Sequence, residues 1–374
     1  MRVFLAATSL DSLYGGPAYS VSRLATALAG AGMHVGFWAA NRSNTGDSLL
    51  CCQPRLHRLA GTVEEGLERF GTPDIIHDNG IWLWHNHQLA ELAKQYGIPR
   101  VVSIRGMLEP WAINHKWLKK RIAWWLYQRR DLKWADCYHA TSPSEARNLE
   151  RVKLGVPTRV IPNGVDVPEL GPGDARKAFP KIKTALFLGR IYPVKGLPTL
   201  VQAWARVRPN GWHLQIAGPD EAGHRAEVER EIRTAGLENT VSHLGPVAGE
   251  HKRSLFLKAD LFVLPTYSES FGMVVAEALA HGLPVLTTTG APWPMLPERG
   301  CGWCVPPTVD GIAAGLRQAT SLDPHVLRSM GAKGREFVAA EFGWDRITKQ
   351  FIAMYEDVVE NKRASSRIFQ QTVV

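Results

Sequence analysis

The chain has 374 residues, 45% hydrophobic and 21% charged, with a formal net charge of +9. That length allows two domains with a core each, and the composition is globular rather than disordered or fibrous. No run of about 18 uncharged apolar residues occurs, which excludes a membrane-spanning helix read from hydropathy.

The first strand is expected at residues 2–8, RVFLAAT. Its apolar run is shorter than the h-region of a signal peptide, so a cytosolic protein is expected. Further strands are predicted at 34–40, 74–79, 100–106, 137–142 and 158–163. They are short and apolar, as strands buried on both faces should be. Helices at 18–32 and 86–97 alternate with them, each ending in Gly, a common C-terminal cap.

Residues 162–174, PNGVDVPELGPGD, read as a linker. The alternation then restarts, with strands at 184–191, 212–219, 241–247, 260–265 and 283–288. The predicted fold class is α/β: two doubly wound, Rossmann-like domains with ligands at the carboxyl ends of their strands, facing an interdomain cleft. The tail after Asn361 is polar and is expected to fray.

The five cysteines, Cys51, Cys52, Cys137, Cys301 and Cys304, are too sparse for a disulfide framework. CGWC at 301–304 imitates a redox motif, but Pro306 and Pro307 block the helix start that would activate a thiol. It reads as a strand-to-loop segment. His85 and His87 have no nearby acid or Cys pair in sequence and do not make a metal site.

The positive charge is local. Residues 1–163 carry 20 Lys/Arg against 13 Asp/Glu, and residues 116–133 alone carry seven bases and one acid. That stretch, KWLKKRIAWWLYQRRDLK, mixes bases with Trp117, Trp124, Trp125 and Tyr127, as interfacial helices on anionic lipid do. Lys119, Lys120, Arg121 and Trp124 are the expected membrane contacts. A domain helix would instead turn Ile122, Trp125 and Leu126 to the sheet. Bases confined to one helix do not suggest nucleic acid.

No GxGxxG follows the first strand and no GxxxxGK[ST] occurs, so hydride transfer and P-loop chemistry lose their support. The chemistry gathers at ESFGMVVAE, 269–277, between the strand-like LFVLPT and the helical ALAHG. A helix is expected to start near Ser270 or Phe271 and run to about His281. The free amides of Phe271, Gly272 and Met273 would then form an anion site. Glu269 would sit before that helix and Glu277 about two turns inside it. Carboxylates accept hydrogen bonds from hydroxyls, so acids flanking an anion site suit a ligand with phosphate in the middle and hydroxyls on both sides. A solvated surface pair is the plainer alternative. Arg190 and Lys195 in GRIYPVKG follow the strand at 184–191 and could neutralise a leaving diphosphate without a metal. No Asp-x-Asp pair occurs anywhere in the sequence.

ESFGMVVAE, GRIYPVKG and the joint IPNGVD (161–166) together resemble the family 4 retaining glycosyltransferases of GT-B fold, and LYGGPAYS and the C-terminal EFGWDRITKQFIAMYEDVV extend the likeness along nearly the whole chain. The resemblance implies an acceptor-side domain over 1–165, joined by a crossing helix over about 344–374, and a nucleotide-sugar domain over 166–343. It implies that Glu277 holds the donor ribose and Glu269 the transferred sugar. Phe271, Gly272 and Met273 would serve phosphate and sugar oxygens, Arg190 and Lys195 the diphosphate, and Gly16 a close approach to phosphate. The base would lie near Gly218 and Val247. Where many relatives carry His-Gly after the fourth strand, this chain has Arg105-Gly106; Arg is no proton acceptor but can hold a phosphate or an acceptor anion. His115 is a weaker candidate for sugar contact. The RGMLEPW form resembles a subset associated with bacterial surface polysaccharides.

The implied reaction moves a hexose from a UDP-sugar, or next GDP-mannose, to a saccharide or lipid-linked saccharide, at an anionic membrane surface. No cofactor, metal or nucleic acid is expected. A sugar-nucleotide epimerase and a non-catalytic sugar-nucleotide or lipid binder are the alternatives.

Overall fold

The computed structural model describes residues 1–10, 16–41, 50, 53–114, 117–169, 171 and 181–372. The chain divides into two units, Met1–Gly164 with Trp344–Val374, and Val165–Gly343.

The first unit holds seven strands: β1 (Arg2–Ser9), β2 (His34–Asn41), β3 (Leu56–Leu59), β4 (Ile75–Asn79), β5 (Arg100–Ser103), β6 (Cys137–Ala140) and β7 (Thr158–Val160). They pair in parallel in the order β3-β2-β1-β4-β5-β6-β7. Alternate side chains of β1 serve opposite faces. Val3, Leu5 and Ala7 join the core of Leu24 and Leu28; Phe4 and Ala6 join that of Leu67, Phe70 and Leu89. Both faces are covered, so the strand carries no polar alternation. β3, LHRL, lies at the sheet edge with His57 and Arg58 exposed, and gave no apolar run to detect.

The helix Trp344–Thr372 belongs to this unit. Ile347, Phe351, Met354, Tyr355, Val358 and Val359 recur at helical spacing and are buried in the core of Val3, Leu5 and Leu28. Full burial of such side chains is worth roughly 1.5–3 kcal/mol each. The helix continues past Asn361 to Thr372, and no Gly or Pro occurs in 362–372 to end it.

A buried hydrogen-bond chain pins this helix. Tyr355 Oη and His77 Nδ1, His77 Nε2 and Ser103 Oγ, and Ser103 Oγ and His139 Nδ1 are each 2.6 Å apart; His139 Nε2 lies 2.8 Å from the Ile161 carbonyl. The carbonyl can only accept, so His139 Nε2 donates and its Nδ1 accepts from Ser103. Ser103 then accepts from His77 Nε2, and His77 Nδ1 accepts from Tyr355. Every direction follows if both rings are neutral. Burial favours that, pushing His77 well below its ordinary value and His139 down to about 3.

The second unit holds β8 (Lys183–Leu188), β9 (Trp212–Ala217), β10 (Val241–Gly245), β11 (Leu261–Leu264), β12 (Val285–Thr288) and β13 (Gly302–Val305). Their order is β10-β9-β8-β11-β12-β13, again parallel. CGWC enters β13. Burial pushes the Cys301 thiol up to about 11 and Cys304 up as well, the opposite of an activated thiol.

Each sheet reverses its strand order once, between β1 and β4 in the first unit and between β8 and β11 in the second. Parallel sheets of this kind bind ligands at the carboxyl ends flanking that reversal.

Candidate functional site

In the second unit the loops after β8 and β11 meet at the reversal. Lys195 ends a short 3-10 turn, Pro193–Lys195, and Gly196 follows at φ 69°. A Cβ on Gly196 would lie 2.2 Å from the Pro265 carbonyl oxygen, so only glycine lets the loops approach this closely. The Tyr267 amide and Thr266 hydroxyl donate to the Val194 carbonyl at 2.8 and 3.1 Å, stitching them together. The Glu269 amide donates to Gly290 at 2.8 Å. The result is an ion pair between Lys195 Nζ and Glu269, only 14% and 13% exposed. Sequence reading gave these residues separate tasks; the fold places one against the other.

The helix after this loop runs Met273–Ala280, with Gly272 as its cap at φ 79°. It starts about two residues later than predicted, because the left-handed Gly272 cannot be part of it. The Val275 amide turns back to the Gly272 carbonyl at 2.9 Å. A helix start leaves the amides of Gly272, Met273 and Val274 without intrahelical acceptors, which adds Val274 to the expected set. Phe271 also anchors the loop: its ring is buried against Trp293, and its carbonyl accepts the Trp293 indole N–H at 2.6 Å. Glu277 stands just over one turn inside the helix, not two. Its carboxylate accepts from Lys252 Nζ at 2.7 Å, with Glu277 15% exposed. Lys252, on the helix Gly249–Lys258, was missed because its partner lies 25 residues away.

Arg190 is not gathered with Lys195. It bonds Glu221 at 2.6 Å in a surface pair. Gly218 follows β9 at φ 145°, where a Cβ would sit 1.9 Å from the Gly189 carbonyl. Its amide is already donated to Gly245 at 2.8 Å, which leaves it shaping the floor rather than offering a donor. Val247 is half-buried against the core beyond β10.

In the first unit Arg105 follows β5 at φ 50°, a strained conformation for a non-glycine residue. It is 9% exposed. Nε and Nη2 donate to Asn79 Oδ1 at 3.1 and 2.7 Å, and Nη1 to Asn163 Oδ1 at 2.6 Å. Burial lowers the guanidinium to about 10, so it stays charged at neutral pH. The buried Glu145 holds the loop from behind, accepting from the Gly106 amide at 2.5 Å and from the Thr141 amide and hydroxyl at 2.6 Å each. Gly16 is the first residue of the helix Gly16–Gly30, whose first turn carries no acid. His115 lies outside the described residues.

The basic, aromatic stretch forms the helix Trp117–Ala123 and a π-helical turn, Trp124–Gln128. Two expected surface contacts point inward. Trp124 is half-buried against Trp82, and Lys120 bonds the Ala112 carbonyl and lies over the Trp82 ring. Tyr127 donates to the Trp82 carbonyl at 2.8 Å, and the Trp82 amide donates to Gln128 at 2.6 Å. Ile122, Trp125 and Leu126, which a domain helix would turn to the sheet, face out instead, Trp125 at 73% exposed and Leu126 at 71%. Trp117 and Leu118 are exposed with them, beside exposed Lys119 and Arg121.

The fold sets two acids beside His87: Asp131, 44 residues on, at 2.9 Å, and Glu91, one helical turn on, at 3.9 Å. Arg130 bonds Glu91 at 2.5 Å and lies 3.7 Å from Asp131, so one cation faces both carboxylates. His85 is apart from it, its ring packed on Trp38.

Residues 15–164 match the model of the glycosyl transferase 4-like domain, and residues 174–337 that of glycosyl transferases group 1. A D-inositol 3-phosphate glycosyltransferase of Catenulispora acidiphila is 29% identical over 325 residues, 80% of this chain and 74% of the relative. The corresponding enzyme of Mycobacterium bovis is 30% identical over 243 residues, 60% of this chain and about half (49%) of that protein. Among solved structures, a sucrose-phosphate synthase of Thermosynechococcus elongatus superposes with a TM-score of 0.78 at 24% identity, covering 96% of this chain and all of that one. HepE of Anabaena, solved with UDP and glucose, gives 0.76 at 19% identity with the same coverage. At these identities the structures establish a shared GT-B fold.

Proposed function

The chain belongs to the group 1 glycosyltransferases, its two family matches together spanning both units, and from that membership we propose that it transfers a hexose, with retention and without a metal, from a nucleoside diphosphate sugar to a saccharide or lipid-linked saccharide. The observation that carries this reading is the Lys195–Glu269 pair at the β8/β11 reversal, beside the amino end of the helix Met273–Ala280. The diphosphate lies on the amides of Gly272, Met273 and Val274, where the helix dipole favours negative charge. Glu277 accepts from the ribose hydroxyls and Glu269 from those of the sugar. Lys195 has three donors and can keep Glu269 while meeting the leaving phosphate. Arg190 joins it by leaving the exposed Glu221, a surface pair worth little.

The bond from the anomeric carbon to the diphosphate oxygen breaks, and the acceptor hydroxyl oxygen bonds to that carbon from the same face. The acceptor proton passes to the departing phosphate oxygen. The protein supplies orientation and charge rather than a base. UDP is the favoured carrier, supported by its presence in the HepE structures. The names of two relatives carry a phosphorylated acceptor or product, inositol 3-phosphate and sucrose phosphate. Thermal unfolding with UDP, GDP, ADP and their sugars tests the donor: UDP compounds raise the melting temperature most. No shift with any of them overturns the reading.

The exposed face of Trp117, Leu118, Ile122, Trp125 and Leu126 with Lys119 and Arg121 docks on an anionic bilayer, the rings and aliphatics entering the interface and the bases meeting phosphate headgroups. In liposome flotation the protein rises with vesicles containing phosphatidylglycerol and stays down with neutral ones. The double substitution Trp125→Ser, Leu126→Ser abolishes flotation, and Lys119→Glu, Arg121→Glu does the same. Equal flotation without anionic lipid contradicts the docking.

A further inference from the structure

The loop after β12, Ala291-Pro292-Trp293-Pro294, brings a tryptophan against the start of the helix Met273–Ala280. A proline on either side narrows the backbone choices of Trp293, and its amide donates to the Ala291 carbonyl at 2.8 Å. The side chain is 1% exposed and packs on the rings of Phe271 and Phe342, with centroids 5.4 and 5.2 Å away. Any large aromatic could fill that space. What sets tryptophan apart is one polar group, the indole N–H. It donates to the Phe271 carbonyl at 2.6 Å.

That bond fixes more than a carbonyl. The Phe271 carbonyl and the Gly272 amide belong to one peptide unit, and the peptide is trans. In a trans peptide the C=O and N–H point in opposite directions. With the carbonyl turned in to Trp293, the Gly272 N–H is turned away from it. Among the described residues nothing accepts from that amide. Gly272 could not hold this orientation alone, because a glycine at φ 79° has no Cβ to restrict its peptide planes. It lies between the indole and the donor-side carboxylate: a Cβ there would sit 3.4 Å from Trp293 Nε1 and 3.8 Å from Glu269 Cγ.

We propose that Trp293 is a positioning residue for the donor diphosphate, its indole N–H locking the Phe271–Gly272 peptide so that the Gly272 amide is presented to phosphate. The inference rests on the transferase reading, which puts the diphosphate on the amides of Gly272, Met273 and Val274. Trp293 touches no ligand in this role and acts through a single peptide plane.

The test is calorimetric titration of the full chain with UDP and with uridine, for the natural protein and for Trp293→Phe. Phenylalanine keeps an aromatic ring and removes the donor. The Phe271 carbonyl is then buried without a partner, and turning the peptide over relieves it at the expense of the Gly272 amide. UDP binds roughly 10-fold more weakly to the variant, and uridine, which has no phosphate, binds unchanged. If Trp293→Phe does not unfold cooperatively, Trp293→benzothienylalanine replaces it, with sulfur in place of the N–H and the shape of the indole kept, and gives the same selective loss. Equal weakening of UDP and uridine reports a general distortion and overturns the proposal. So does unchanged UDP binding in the variant that folds. Natural protein that binds no UDP overturns the transferase reading itself, and this inference falls with it.

Discussion

Replacing Lys195 by alanine lowers the rate of sugar transfer by roughly 10²- to 10³-fold, the usual cost of one preorganised charge at a developing anion. The loss falls mainly on kcat. In the free protein Lys195 is satisfied by Glu269 in a pair shielded from water. Its bond to the leaving phosphate strengthens only as the anomeric bond breaks, and an interaction made chiefly in the transition state shows in kcat rather than KM. The alanine variant also leaves Glu269 as an unpaired, largely buried carboxylate beside the sugar. A steady-state assay of nucleotide release separates the two constants. A variant that keeps kcat and loses only KM removes Lys195 from the leaving group and makes it a plain binding residue.

Glu277→Gln has the second largest effect, and it appears in KM for the donor. The substitution keeps the shape but turns charge-assisted hydrogen bonds to the ribose into neutral ones. That difference is about 1–2 kcal/mol, roughly a 5- to 30-fold rise in KM with kcat little changed. Lys252 loses its carboxylate at the same time but is 30% exposed, so water compensates it. Lys252→Met therefore has a smaller effect than Glu277→Gln. An equal fall in kcat for Glu277→Gln places this carboxylate at the reacting carbon instead.

The fold was legible because buried parallel strands announce themselves as short apolar runs. β3 escaped, being a polar edge strand, while β13 fills the strand-to-loop segment read at CGWC. The motif around Glu269 and Glu277 was legible as chemistry but not as geometry. Two glutamates eight residues apart say nothing of the lysines opposite them, 74 and 25 residues away in sequence. The helix start was misplaced because ESFGM contains a left-handed glycine that no periodicity reveals.

The basic helix shows a different limit. Its sequence marks it as amphipathic without saying which side meets the sheet. The sheet took Trp124, Tyr127 and Gln128, which clasp Trp82, and left Trp125 and Leu126 outside. The π-helical turn adds to the difficulty, since its i→i+5 bonding breaks the 3.6-residue period used to assign faces. Arg105 was visible as a departure from the His-Gly of relatives. Its burial between two asparagines, one of them Asn163 in the joint IPNGVD, was not.

The central claim is that the protein's own cations carry the leaving charge while the sugar keeps its configuration. The most direct measurement is the anomeric configuration of the product formed from UDP-α-glucose in excess EDTA, read by proton NMR against the uninhibited rate. The account predicts an α-glycoside formed at the rate seen without chelator. A β-glycoside, or activity lost in EDTA and restored by Mn²⁺, contradicts it.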